Sequence, residues 1–355
     1  MREAALTAVK PMAPSPARLA AAFSEQAIAV EDRWILMAGR SVRLRFGSAG
    51  LLRLMESFAH LSCDAQDHAD LTLHIWEGGT PPLPEADTED KPPGLRVMWR
   101  DGTLRACYQP GQFTLSALEE AESQAWFWGR ESSQLPYWEY AAPFRLILSW
   151  WLGDLGANLV HGAAVGRPDG GALIVGRGGS GKSTTALLSL LDGLSYASDD
   201  YVIAERDYQG CGPFVHSAFG SGKLDNEQCK RFPQLESAIV NKVRSPEEKA
   251  VFLVNRFAPE QMAASFPLRA VLVPRITGRT DTRVRPGSSV LALAALAPST
   301  IFQLPGDPDV ELKAMAEIVR AVPTHILELG TELRQIPRCI DQFLGELAVS
   351  APSLQ

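Results

Sequence analysis

The sequence predicts an α/β protein whose main part is preceded by a smaller α+β part, and three observations lead there. From about residue 141 short apolar runs alternate with longer apolar-periodic stretches, the rhythm of strands interleaved with helices. Within that rhythm a glycine-rich stretch at 176–183 follows an apolar run and opens an apolar-periodic segment. Before residue 140 the apolar runs are short and separated by turn residues. A chain of 355 residues suffices for two ordinary domains. The division is expected near residue 140, giving 1–140 and 141–355, with the first part open to a substrate-binding role.

In the first part, "WILMAG" (34–39), "SVRLRF" (41–46), "DLTLHIW" (70–76), "LRVMWR" (95–100) and "LRACYQ" (104–109) read as strands, and "AGLLRLMESFAHL" (49–61) as a helix. "EGGTPPLPEADTEDKPPG" (77–94) is rich in proline and acid, which marks a surface loop or a disordered insertion. "WFWGRESSQLPYWEY" (126–140) is dense in aromatics and reads either as packing between the parts or as a groove for a peptide.

In the second part a helix at 142–157, which holds Trp150 and Trp151, leads into a strand "NLVHGAAVG" (158–166), a turn "RPDGG" and a strand "ALIVG" (172–176). A helix "GKSTTALLSLLDG" (181–193) and a strand "LSYASDDYVIAE" (194–205) follow, the latter expected to pair beside the 172–176 strand. Later apolar runs at 250–254, 269–276 and 324–330 read as strands, and 288–297, 310–322 and 336–348 as helices.

Composition excludes several classes. A net charge of −7 argues against a general nucleic-acid binder, because neutralising phosphates needs a basic surface. No window is long and apolar enough for a membrane span, and the N-terminus lacks the pattern of a signal peptide. Five scattered cysteines with no CxxC pair fit a reducing cytoplasm better than a disulfide framework or a zinc site. The oligomeric state is open, a homo-oligomer included.

"GRGGSGKS" matches G-x-x-x-x-G-K-[ST] through Gly176, Gly181, Lys182 and Ser183, with Gly178, Gly179 and Ser180 inside the loop and Thr184 just after it. Glycines let consecutive backbone N–H groups turn inward as an anion nest, and the helix start aims its positive end at the same place. Lys182 adds charge near the β- and γ-phosphates of a nucleotide, and the Ser183 hydroxyl can complete a Mg²⁺ shell. Asp199 and Asp200 follow on the next strand; adjacent strand residues face opposite ways, so one acid can hold Mg²⁺ while the other takes a proton from an incoming hydroxyl. His161 in an apolar strand is by itself more often structural than catalytic. Lys223 and Lys249 are candidates for a second phosphate contact, though each reads equally as a solvated surface lysine.

The set "VHGAAV … GRGGSGKSTTAL … SDDYV" resembles the catalytic domain of the HPr kinase/phosphorylase family, in spacing as well as residue type, over roughly residues 158–205. That family shares a fold with ATP-dependent phosphoenolpyruvate carboxykinases. The resemblance implies a P-loop kinase core that uses ATP and Mg²⁺ to phosphorylate a serine of a peptide or protein. It assigns Lys182 and Ser183 to phosphate and Mg²⁺, Asp199 to the general base, Asp200 to the metal side, and His161 to a partner of the base. The glycine-rich segment that true HPr kinases carry downstream is replaced by "SAFGSGKLDNEQCKRFPQL" (217–235). The later pattern is more similar to HPr-kinase-like proteins of bacterial peptide biosynthetic clusters, some of which phosphorylate a lasso-peptide precursor. Transfer to a small hydroxylated metabolite, and a P-loop ATPase or nucleotide-dependent regulator without an acceptor, are the competing expectations.

Overall fold

The computed structural model describes residues 13–83 and 95–350; most of the proline-rich acidic stretch expected as a loop or insertion therefore lies outside the described residues. The chain divides into two compact units. The first comprises Met1–Trp34, Val42–Leu52 and Gln66–Pro136, and the second Ile35–Ser41, Arg53–Ala65 and Tyr137–Gln355. A single cut near residue 140 was expected; instead two short upstream segments fall with the second unit. The packing of Phe58 against Phe144 and Phe219, at 6.2 and 5.4 Å between ring centroids, gives a physical reason for one of them.

The first unit holds α1 (Pro16–Gln26) and, apart from the end of β1 and the start of β2 within Ile35–Ser41, a seven-stranded sheet of β1 (Glu31–Met37), β2 (Arg40–Phe46), β3 (Leu71–Glu77), β4 (Val97–Asp101), β5 (Leu104–Gln109), β6 (Thr114–Glu119) and β7 (Gln124–Gly129). The spatial order is β1-β2-β3-β7-β6-β5-β4. Ser15 caps α1 by accepting from the Arg18 N–H, and Pro16 opens the helix where no backbone donor is needed. Leu19 and Phe23 on α1 pack into a core with Trp76, Trp99, Trp126 and Trp128. The sequence pattern marks no strand at β6 or β7. Every residue of β6 is buried, so the polar-outside alternation that betrays a half-buried strand is missing there. Residues 49–61 are helical as expected, but as a 3-10 helix.

In the second unit α2 (Tyr137–Ala141) and α3 (Arg145–Asp154) precede β8 (Ala157–His161), β9 (Ala163–Arg167) and β10 (Gly170–Ile174). Next come α4 (Lys182–Leu191), β11 (Ser195–Ser198), β12 (Tyr201–Glu205), β13 (Phe214–Ser217), β14 (Ser221–Leu224), α5 (Asn226–Arg231) and β15 (Ala250–Leu253). The unit closes with β16 (Ser265–Ile276), β17 (Arg283–Pro286), α6 (Ser289–Gln303), α7 (Pro308–Ala321), β18 (Thr324–Leu329) and α8 (Gln335–Ser350). Nine strands form one mixed sheet in the order β11-β9-β10-β16-β13-β12-β8, with β18 on β16 and β17 on β18, while β14 and β15 pair separately.

Helices cover both faces of this sheet. Alternate residues of β10 serve the two sides: Ala172 and Ile174 pack with Ala186, Leu187 and Leu190 of α4 and Ile336 and Ile340 of α8. Leu173 packs on the other side with Ala292 and Leu296 of α6 and Met315 and Ile318 of α7. Two expected strands are each broken in two. "NLVHGAAVG" becomes β8 and β9, and "LSYASDDYVIAE" becomes β11 and β12. Both breaks fall at one level, where the Gly162 N–H donates to the Asp200 carbonyl at 3.1 Å. Past this level the chain changes neighbours: β8 pairs with β12, whereas β9 pairs with β11 and β10. The strand after α4 thus lies one place further from β10 than expected, because the tight β9–β10 hairpin puts β9 there first. Among the described residues, no helix is long and apolar enough to cross a membrane.

Candidate functional site

The loop between β10 and α4 contains Gly176, Gly178, Gly179, Ser180 and Gly181, and Lys182, Ser183 and Thr184 form the first turn of α4. Gly179 and Gly181 adopt φ of 76° and 100°, a region that favours glycine. A side chain at Gly181 would in addition collide with Leu329, 2.5 Å away. Gly181 is the N-cap of α4 and brings no side chain to cap it. The first-turn N–H groups are therefore left to a ligand, and the helix dipole favours an anion there.

Lys182 is buried, and its ammonium donates to the Gly176 carbonyl at 2.6 Å and to that of Arg177 at 3.3 Å. Burial lowers its pKa, Asp199 and Asp200 oppose that, and Lys249 adds to it. Arg177, Gly178 and Gly179 at the tip of the loop are exposed. Ser180 Oγ is buried without a hydrogen-bond partner.

Asp199 and Asp200 occupy the break between β11 and β12 rather than the middle of a strand. Asp199 is only 3% exposed. Burial pushes its carboxyl up to about 6, with the neighbouring Ser183 hydroxyl and the charges of Lys182 and Lys223 opposing the rise and Asp200 adding to it. Asp199 Oδ1 has no hydrogen-bond partner. Asp200 is gripped from both sides: His161 Nε2 lies 3.3 Å from Oδ1, and Lys223 Nζ 2.6 Å from Oδ2. Burial alone would raise the pKa of Asp200, but Lys223 and His161 outweigh it and hold the carboxylate far below the usual range.

His161 ends β8, two strands before the loop strand in sequence rather than one, because β9 intervenes. Its register partner on β12 is Tyr201, which follows the acid pair directly, so strand pairing itself sets the imidazole beside Asp200. Its backbone N–H donates to Thr300 Oγ1 at 3.1 Å, and its Nδ1 is buried without a partner. The Tyr201 hydroxyl donates to Gln303 at 2.5 Å. Thr300 and Gln303 were not anticipated as site residues. A signal was present: they are polar residues at the end of α6, whose preceding segment "VLALAALAP" (290–298) is apolar.

Of the two candidate lysines, Lys223 is buried against Asp200, whereas Lys249 is exposed and reaches the site only through its field on Lys182. The sequence residues thus come together as a helix-start anion cradle and a buried acid pair whose charge acts on Lys182 of that cradle. Among the described residues, no group of three or more His, Cys, Asp or Glu side chains could hold a metal by itself. The residues here suit a hard cation that shares its shell with phosphate oxygens: a serine hydroxyl, adjacent carboxylates and an orphaned buried carboxylate oxygen.

No family model matches the sequence, and no curated protein matches it. Among solved structures the fold is similar to that of the Hpr(Ser) kinase/phosphatase from Coxiella burnetii, at 11% identity over 55% of this chain and 99% of that one, with a TM-score of 0.30. A likeness this loose leaves this chain's own residues as the grounds for a functional reading.

Proposed function

We propose that this chain transfers the γ-phosphoryl group of ATP to a serine hydroxyl of a peptide or protein, with Mg²⁺ as cofactor. The observation that carries the reading is the buried acid pair whose charge acts on Lys182 of the cradle: Asp199 keeps a carboxylate oxygen without a partner, and Asp200 stands between His161 Nε2 at 3.3 Å and Lys223 Nζ at 2.6 Å. A nucleotide switch needs the cradle; it has no evident need for a second buried acid with its own imidazole and ammonium partners.

In this reading the N–H groups of the loop and the Lys182 ammonium bind the β- and γ-phosphates, and the ammonium exchanges its bonds to the Gly176 and Arg177 carbonyls for phosphate oxygens. Mg²⁺, held between phosphate oxygens and the Ser183 and Asp200 side chains, would supply charge neutralisation at the transferring group. Asp199, with a carboxyl whose proton affinity lies near neutrality, accepts the proton of the attacking hydroxyl. His161 fixes the orientation of Asp200 through the 3.3 Å contact. Serine as acceptor rests on the family resemblance of residues 158–205.

The test is incubation with γ-labelled ATP, Mg²⁺ and a degenerate peptide library with a fixed central serine, beside an alanine-centred control. Label on the serine library alone is expected, and Lys182→Ala should abolish both labelling and ATP binding. Phosphate release at a rate indifferent to the library, with no labelled peptide, would sink the proposal in favour of hydrolysis.

A further inference from the structure

β14 brings two neighbouring residues against the acid pair, one to each acid. A side-chain carbon added at Gly222 would stand 3.1 Å from Asp199 Oδ2 and 2.4 Å from the Phe252 ring, so only glycine lets the strand run this close. One residue on, Lys223 reaches Asp200 Oδ2 at 2.6 Å, and both side chains are largely buried, at 16% and 18% exposure. β14 is held from two directions. It pairs with β15 from Ser221 to Leu224, and the Ser221 hydroxyl bonds the carbonyl of Ala141.

The Lys223 ammonium has little freedom. The Tyr201 ring centroid lies 5.9 Å away, and the Tyr201 hydroxyl is fixed on Gln303. The neighbouring cation, Arg145, is engaged by Glu139 at 2.7 Å and does not compete for Asp200. The two oxygens of Asp200 thus face different groups, the His161 imidazole at Oδ1 and the Lys223 ammonium at Oδ2. Two close contacts, one to each oxygen, bias the plane of the carboxylate as well as its position.

We infer that Lys223 is a positioning residue, whose ammonium works with the His161 imidazole to lock the Asp200 carboxylate in the plane the transfer step requires. The inference rests on the phosphotransfer reading above. Because Lys223 forms its ion pair with Asp200 and not with the cradle, its loss acts on turnover rather than on nucleotide affinity. A misplacement of about 1 Å in a catalytic array costs roughly 100-fold in rate.

The experiment compares wild type, Lys223→Met, Lys223→Arg, Asp200→Asn and the Lys223→Met/Asp200→Asn double variant, with ATP, Mg²⁺ and the serine-centred library. Lys223→Met should lower kcat about 100-fold while KM for ATP stays within about threefold. Lys223→Arg, which keeps the charge, should recover about tenfold of that loss. The double variant should be no slower than Asp200→Asn alone, since both changes break one unit. Should Lys223→Met fail to fold, Lys223→Gln carries the same test, with a fall in kcat at constant KM expected. A neutral variant at position 223 that turns over within about threefold of wild type overturns the inference, as do losses that multiply in the double variant. A loss confined to KM does so too. If wild type neither binds ATP nor labels the library, the phosphotransfer reading falls, and that result precedes any comparison of variants.

Discussion

Asp199→Asn replaces a fully buried carboxylate by an uncharged group of the same shape, and so separates the chemistry of this position from its effect on the fold. The carboxyl has its pKa raised from 3.8 to about 6, chiefly by burial. The folded chain therefore keeps this proton to a higher pH than the unfolded chain, and stability is lost as pH rises from 3.8 through 6. The rise corresponds to about 3 kcal/mol at pH 8 and to about half that at pH 5. Asparagine carries no such penalty. In urea unfolding with a chelator present, Asp199→Asn should exceed wild type by up to about 3 kcal/mol at pH 8, the gap narrowing by about 1.4 kcal/mol at pH 5. Transfer to the serine library should fall by about 100-fold or more, with ATP binding retained. A variant no more stable than wild type at pH 8, or a gap that ignores pH, would refute the account of Asp199 as a destabilised buried acid. Loss of Mg²⁺-dependent ATP binding with the fold intact would instead move Asp199 to the metal side.

Three further expectations concern the fold around the site. His60 and His216 are held neutral by burial, each with its pKa lowered from 6.5 to about 4, so each stabilises the fold above pH 6.5 and loses that contribution as pH falls toward 4. Between pH 7 and pH 5 each should cost about 2 kcal/mol, and His60→Gln or His216→Gln should flatten the wild-type urea profile by that amount. Glu139→Gln leaves the Arg145 guanidinium buried without its counter-charge and should destabilise by about 3–5 kcal/mol in urea unfolding. A double replacement of Glu139 and Arg145 by leucine should cost less. Leu187→Ala on the inner face of α4, fully buried beside Ala186 and Leu190, should cost about 2–5 kcal/mol; a loss below about 1 kcal/mol would mean the helix is not seated on the sheet as described.

Local sequence carried the glycine loop and the helix it opens, because their signature is chemical and contiguous: Gly179 and Gly181 need positive φ, and Lys182 and Ser183 open the apolar-periodic α4. It carried the acid pair as residues but not their placement. Asp199 and Asp200 sit in a bend because two strand pairs change neighbours there, and the register that decides this comes from β8 and β9, more than thirty residues earlier. β6 and β7 escaped notice because burial on both faces removes the polar alternation that marks a strand. The 49–61 helix was legible as a helix, while its assignment to one unit depends on partners such as Phe144 and Phe219 far along the chain.

The division of labour is physical. Sequence alone determined what could be done within a few residues: which backbone angles are allowed, which helix end is left uncapped, and which side chains carry charge or a proton. Only the tertiary structure decided which charges meet. Lys223 and Lys249 read alike in the sequence, yet one is folded against Asp200 and the other stands in solvent. Coulomb and hydrogen-bond energies depend on separations of a few ångströms, and separations between residues distant in the chain are set by sheet register, which no local pattern encodes.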